Sequence, residues 1–334
     1  MTTHPSAAPI RCDCPRCAYD MSGPVARWST SCELYATCPE CGLEFAWGDV
    51  LNPTRVVPRW FYEAPTRPAF STLPGTTRRM MLPCRFWSSI NLATPLHMRR
   101  LVALLVGVLL ATHLLLAVCV SLSLAAQVKR LGQWTTSVVS EDLPGIYYRI
   151  FAWPYATHGA DVTLTYNTGV AGTPPMTTRT IITTDGLSGT QVLLPMLGLA
   201  MMPLSYLLLR QTLRRTQVRP AHLFRIFAYS SLLLLPMIAL QILFARQWRD
   251  TILYTIRSST PWFNSLAAFV DDVERIVPLP LVLVLIFLIF LGAWWSAATA
   301  RYLRLPPPAG VVAAMVTITA LVLAIIAAFT YRPW

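Results

Sequence analysis

The chain is short of charge. Only 13% of its 334 residues are Asp, Glu, Lys or Arg, against 54% hydrophobic, where soluble domains carry roughly 25% charged residues. With a mean hydropathy of +0.51, that deficit argues against an ordinary soluble enzyme and places the chain among integral membrane proteins. Residues 1–50 lack an apolar core run, so no secretory signal peptide is expected. The two long loops at residues 127–190 and 246–279 lack cysteine, which argues against an exported disulfide framework. The long apolar runs contain no Asp, Glu, Lys or Arg, which argues against a proton- or ion-coupled carrier. There is no clear internal repeat, which argues against an inverted-repeat transporter.

What charge exists is unevenly placed. The net charge is +12, yet residues 1–49 hold Arg11, Arg16 and Arg27 against Asp13, Asp20, Glu33, Glu40, Glu44 and Asp49, a balance of −3. Phosphate binding needs the opposite sign, so no nucleic-acid partner is expected there. Residues 50–100 hold eight Arg and one acid, Glu63.

That acidic stretch contains the one constellation with clear chemistry. Six of the eight cysteines lie in the first 41 residues, and four form twin knuckles, Cys14-Pro15-Arg16-Cys17 and Cys38-Pro39-Glu40-Cys41. Each Cys-x-x-Cys puts two thiolates on one side of a tight turn, and two such turns close a tetrahedron around one metal ion. Cys14, Cys17, Cys38 and Cys41 are therefore the expected ligands of one structural zinc ion, with iron the less favoured metal. Gly42 supplies the positive φ that such a turn tends to need. Ala18, in the equivalent place after Cys17, costs about 1 kcal/mol if it is left-handed. A closed four-thiolate site leaves no position for substrate. Cys12 could replace Cys14 as a ligand, since only Asp13 separates them; otherwise Cys12 and Cys32 are free thiols. Cys84 and Cys119 read as small apolar fillers.

Residues 50–84 contain Pro53, Pro58, Pro65, Pro68, Pro74 and Pro83 and read as a semi-extended linker. Residues 85–92 read as a short interfacial helix with Phe86, Trp87 and Ile90 facing lipid. Five spans are expected at about 101–126, 191–209, 226–245, 280–300 and 310–330, each meeting the ~20 residues that a bilayer requires. Arginine asymmetry orients them. The side holding residues 1–100, 210–225 and 301–309 carries 18 basic and 7 acidic groups, and the other carries 9 and 8. The N-terminus is thus expected in the cytoplasm and the C-terminus outside.

Residues 161–167 and 177–184 alternate like strands of a hairpin. Residues 260–274 read as an amphipathic helix on the outer surface. Trp294, Trp295 and Tyr302 read as one interfacial belt, and Trp248, Trp262 and Trp334 as the other. Small residues at spacing four, Gly310/Ala314 and Ala320/Ala324/Ala328, give the fifth span a close-packing face. His113, midway along the first span, reads as a neutral side chain bonded to a neighbouring helix, and Gln191 and Gln241 as helix–helix contacts. Gly186-Leu187-Ser188-Gly189 resembles the Gly-x-Ser-Gly of intramembrane serine proteases, although His113 lies about half a bilayer from Ser188.

The stretch Cys14-Pro-Arg-Cys-Ala-Tyr-Asp-Met-Ser-Gly23, followed by Cys38-Pro-Glu-Cys-Gly42, resembles the Cys-Pro-x-Cys-Gly-Tyr-Asp-Leu-x-Gly … Cys-Pro-Glu-Cys-Gly zinc ribbon that heads a set of bacterial multi-span membrane proteins. Residues 85–90 and 212–222 are similar to segments of the same set. In span count and cytoplasmic N-terminus alone, the chain also resembles the Yip family of membrane-trafficking proteins. The resemblance implies zinc and a bacterial inner membrane, and it says little about activity.

The expected fold is a small β zinc ribbon with rubredoxin-like knuckles (residues 1–49), a Pro/Arg-rich linker (50–100) and an all-α transmembrane bundle of five helices (101–334). The expected function is non-enzymatic: a membrane-anchored protein-binding, scaffolding or regulatory component whose ribbon recruits a cytoplasmic protein partner. No small-molecule substrate is identified. The alternatives are a permease or channel-like component gated by the ribbon, and an intramembrane serine hydrolase using Ser188 and His113.

Overall fold

The computed structural model describes residues 12–26, 28, 33–65, 67–134, 137–139, 143–152, 154, 158–166, 176–184, 189–208, 217–244, 279–305, 310 and 312–320. The chain divides into two units. The first comprises Met1–Leu105, Leu199–Ser230 and Phe290–Val322, and the second Val106–Gly198, Ser231–Ile289 and Leu323–Trp334.

In the first unit a short helix α1 (Ser22–Ala26) follows the first knuckle, and Asp20 accepts hydrogen bonds from the Ser22 amide and hydroxyl. Strands β1 (Tyr35–Thr37) and β2 (Glu44–Ala46) pair antiparallel, with Ala36 opposite Phe45. Phe45 and Trp47 turn inward, and Trp28 packs edge-on to Trp47 with ring centres 4.8 Å apart. Such a core is small for a fold of this length and fits one completed by a metal. Helix α2 (Trp47–Leu51) and a 3₁₀ turn (Pro53–Val56) then lead away.

Residues 50–84 are more structured than a semi-extended linker. Helix α3 runs Ala69–Met80 and α4 Pro83–Ser88. Pro68 is the N-cap of α3 and Pro83 opens α4. A missing N–H costs nothing at such positions, so a proline-rich composition is compatible with helix starts. Gly75 allows α3 to approach Trp60, because a Cβ there would meet the Trp60 Cβ at 3.3 Å.

Phe86, Trp87 and Ile90 do not face outward as the interfacial reading requires. All three are buried, and Phe86 and Trp87 lie against Trp294 with ring centres 5.2 Å away in both cases. Trp294, Trp295 and Tyr302 are likewise buried rather than displayed as a belt. Aromatic side chains satisfy a protein interior and a lipid interface equally well by composition.

Three helical runs among the described residues are long and apolar enough to cross a membrane: Met98–Ala125, Pro220–Ile242 and Val282–Tyr302. The first lies in the 37-residue α5 (Met98–Trp134). In the second unit, strand β3 (Ser137–Val139) and helix α6 (Leu143–Ala152) follow. Strands β4 (His158–Tyr166) and β5 (Met176–Thr184) make the expected hairpin, and β3 extends it to three antiparallel strands in the order β3-β4-β5. His113 Nε2 lies 2.8 Å from the Phe151 carbonyl of α6, a helix-to-helix hydrogen bond of the expected kind.

Helix α7 (Gly189–Leu208) covers the expected second span, with the shorter apolar stretch Pro195–Ser205 inside it. Helices α8 (Pro220–Ser231) and α9 (Leu234–Phe244) form one apolar run broken by a turn at 232–233. Pro236 explains the break, since it cannot donate to the Leu232 carbonyl and its ring crowds that group. Helix α10 (Leu279–Ala297) passes into a π-turn at Ala298–Tyr302, where the Leu303 amide bonds the Ala298 carbonyl at 2.9 Å. Residues 312–320 are helical and bury Val312, Met315 and Thr319; of the small residues at spacing four, Ala314 is half-buried and Gly310 and Ala320 are exposed. Ser188, the 260–274 segment and residues 321–334 lie outside the described residues.

Candidate metal centre

The two knuckles have the same backbone. The Ala18 amide bonds the Cys14 carbonyl at 2.9 Å, and the Gly42 amide bonds the Cys38 carbonyl at 2.9 Å. Outside each turn the first cysteine's amide bonds back, Cys14 to the Tyr19 carbonyl at 2.8 Å and Cys38 to the Leu43 carbonyl at 3.0 Å. Both turns close through a left-handed residue, Ala18 with φ of 64° and Gly42 with φ of 65°. The left-handed alanine is thus present, with the steric cost that Cβ brings there.

These turns bring Cys14, Cys17, Cys38 and Cys41 together, with all four sulfurs within 4.8 Å of one another. Cys14 Sγ lies 3.6 Å from Cys41 Sγ, and Cys17 Sγ 3.6 Å from Cys38 Sγ. Around a tetrahedral ion with bonds of ~2.3 Å the sulfurs would stand ~3.8 Å apart. The group could therefore hold one metal ion with little adjustment. Cys12 is buried nearby and its carbonyl accepts from the Met21 amide, but its thiol is not in the converging set.

The thiols differ in proton affinity. Burial pushes Cys14 up, and burial pushes Cys17 up to about 11. Burial acts on Cys38 in the same sense, but hydrogen bonds from the Cys41 and Glu40 amides, then from the Cys14 and Cys17 side chains, outweigh it and lower Cys38. Metal uptake must therefore displace protons from the first knuckle.

The first knuckle is fastened to helix ends within the same unit. Arg16 is buried, and its guanidinium donates to the carbonyls of Leu303 at 2.9 Å, Arg304 at 3.1 Å and Cys41 at 3.3 Å. A cation suits the C-terminal end of a helix, where carbonyls lack partners. Arg304 has φ of 52°, a left-handed stop beyond the π-turn. The Arg219 amide bonds the Arg16 carbonyl at 3.3 Å, and His222 Nε2 lies 2.9 Å from the Pro15 carbonyl. A carbonyl only accepts, so Nε2 carries the proton. In the neutral ring Nδ1 then accepts from the Tyr302 hydroxyl, 2.7 Å away.

Tyr302 leads to a second cluster. Its oxygen accepts from Arg225 Nη1 at 2.8 Å. Arg225 grips Glu63 with two bonds, Nε to Oε1 at 2.8 Å and Nη2 to Oε2 at 2.9 Å. Glu63 also accepts from the Tyr229 hydroxyl at 3.2 Å and the His97 amide at 2.9 Å, and Arg225 donates to the Thr94 and Pro95 carbonyls. Both side chains are fully shielded from solvent. Each polar group is satisfied, which is the condition for keeping such a pair inside a protein. Sequence reasoning placed Arg225 among loop arginines and left Glu63 unassigned. The available signal was that Glu63 is the single acid among residues 50–100.

Comparison with protein-family models, with curated proteins and with solved structures finds no match.

Proposed function

We propose that the chain is a membrane-anchored scaffolding protein. Its four-cysteine unit holds one structural zinc ion and offers its free side to a cytoplasmic protein partner. The observation that carries this reading is the two-sidedness of the unit. Pro15 and Arg16 bind it to helix ends, whereas Leu34 and Tyr35 are 76% and 72% exposed, flanked by the exposed acids Glu33 and Glu44. Four protein thiolates fill a tetrahedral ion, which favours a structural over a catalytic metal. Zinc suits a thiolate set in a reducing compartment. The arginine asymmetry supports an N-terminus in the cytoplasm of a bacterial inner-membrane protein. Two further spans, at 191–209 and 310–330, complete the five-helix arrangement.

Affinity capture with the intact protein, beside a Leu34→Ser/Tyr35→Ser variant and a Cys38→Ser/Cys41→Ser variant, tests the reading. A protein lost from both variants, and shown to bind the purified wild-type chain directly, supports it. Identical recoveries from all three would overturn it. Metal analysis of the purified chain should give one zinc per chain. Alkaline phosphatase fused after residue 150 and after the C-terminus should be active at both positions.

A further inference from the structure

We propose that α3 and α4 form a binding site for the phosphate headgroup of an anionic phospholipid. The site is a pocket of about 430 Å³ lined by Trp60, Arg78, Arg79, Leu82, Arg85 and Ser89. Three of its six lining residues are arginines, all exposed. No Asp or Glu occurs between residues 64 and 100, and the nearest acid in sequence, Glu63, is bound by Arg225. The three guanidinium groups thus share one pocket with no carboxylate close in sequence to neutralise them. Guanidinium groups match phosphate oxygens in shape and charge.

The pocket is built rather than incidental. Arg79 stacks over the Trp60 ring with its central carbon 4.6 Å from the ring centre, and its Nη1 donates to the Gly75 carbonyl at 3.3 Å. Thr76 holds α3 to the Trp60 carbonyl through a 2.8 Å bond, and Trp60 in turn packs on Phe86 of α4. The wall bearing Arg79 is therefore fixed relative to the wall bearing Arg85.

Position selects lipid over a soluble anion. Trp87 of α4 packs on both Trp294 and Tyr302, ring centres 5.2 and 5.1 Å away. Those two residues lie within the last nine positions of the apolar run Val282–Tyr302, about 12 Å of helix. Helix α4 thus lies beside the end of a membrane-length helix, at the depth where headgroups meet acyl chains. Large apolar side chains are displayed on α3 and on the turn that leads to α4: Phe70 is 88% exposed, Leu82 53% and Met81 48%. Arginines beside exposed apolar side chains are the pattern of an interfacial lipid contact. The interfacial role expected of Phe86, Trp87 and Ile90 thus passes to their outward neighbours.

Native mass spectrometry of the full chain in neutral detergent, titrated with phosphatidylglycerol or phosphatidylcholine, tests the site. The wild type should retain phosphatidylglycerol in preference to phosphatidylcholine. An Arg78→Gln/Arg79→Gln/Arg85→Gln variant should bind phosphatidylglycerol about a hundredfold more weakly, each arginine contributing about fivefold. An Arg55→Gln/Arg67→Gln/Arg99→Gln variant, with the same charge change outside the pocket, should retain it. Equal loss in both triple variants, or no loss in either, would overturn the proposal. Displacement of the lipid by millimolar inorganic phosphate would reassign the pocket to a soluble anion. Unchanged metal content and melting temperature will establish that the variants are folded. If the pocket variant is not, Arg85→Gln alone should still bind about fivefold more weakly, and wild-type affinity in that variant would also overturn the proposal.

Discussion

The two knuckles share a backbone and differ in what stands between their cysteines. The first carries Arg16, buried against three carbonyls, and the second carries Glu40, exposed and 3.5 Å from the Gln217 amide. One turn is a fastening and the other is a surface, although the metal would treat them alike. The residue types that bind metal are thus separable from those that attach the unit to its neighbours. A motif defined by its cysteines describes only the first property.

The largest effect should show the knuckles as equals. Cys17→Ser and Cys41→Ser should each abolish stoichiometric metal in the purified chain, since structural zinc supplies roughly 10–16 kcal/mol of apparent folding energy in small units. Metal retained by either variant, measured by elemental analysis, would break the equivalence.

Acid should separate them. Cys17, with a proton affinity of about 11, and Cys14, also raised by burial, are both protonated in the metal-free chain at neutral pH, whereas Cys38 is lowered. Binding releases those protons, so metal affinity rises with pH, and the Cys17 part of this dependence persists until the pH passes about 11. From Cys14 and Cys17 alone it should fall about a hundredfold between pH 8 and pH 7, tenfold per proton. Competition with a chromogenic chelator at the two pH values measures this, and a flat response would contradict the assigned proton affinities.

The middle position gives the next contrast. Arg16→Ala should lower stability by about 2–4 kcal/mol through lost charge-assisted bonds and unpaired carbonyls. Glu40→Ala should stay within about 0.5 kcal/mol. Thermal unfolding in detergent at saturating zinc compares them, and equal shifts would remove the distinction.

The smallest contrast is at the closing residue. Ala18→Gly should stabilise by about 1 kcal/mol and Gly42→Ala should destabilise by a similar amount. Nothing lies within 4 Å of a Cβ placed on Gly42, so that cost is one of backbone conformation alone. The same melting measurement reads both changes.

The parts legible in the sequence are those fixed by short-range pattern. The cysteine spacing brought four sulfurs together, Gly42 marked a left-handed turn, and alternation marked β4 and β5. Apolar length marked the helices that begin near Met98, Pro220 and Val282. What was not legible depends on distant partners. Glu63 and Arg225 are 162 positions apart, and no local pattern tells a buried arginine from one that orients a loop. Phe86, Trp87, Trp294 and Tyr302 carry no local sign that they pack on one another, because lipid and protein interiors select the same side chains. The prolines of residues 50–84 read as a semi-extended linker, although Pro68 caps α3 and Pro83 opens α4, positions that helices tolerate.

The separation of Glu63 from Arg225 also sets an order in time. At about 5–20 residues per second, ribosomes reach Arg225 roughly 10–30 s after Glu63. Arg16 waits longer, because the carbonyl of Leu303 lies 287 positions further on. The four cysteines are synthesised within the first 41 residues, so metal can be captured early. Of the groups that bind Glu63, the His97 amide is made early, whereas the Arg225 guanidinium and the Tyr229 hydroxyl come only with α8. A chain truncated before residue 225 would leave Glu63 with the His97 amide but without the guanidinium that neutralises it and the helix that shields it.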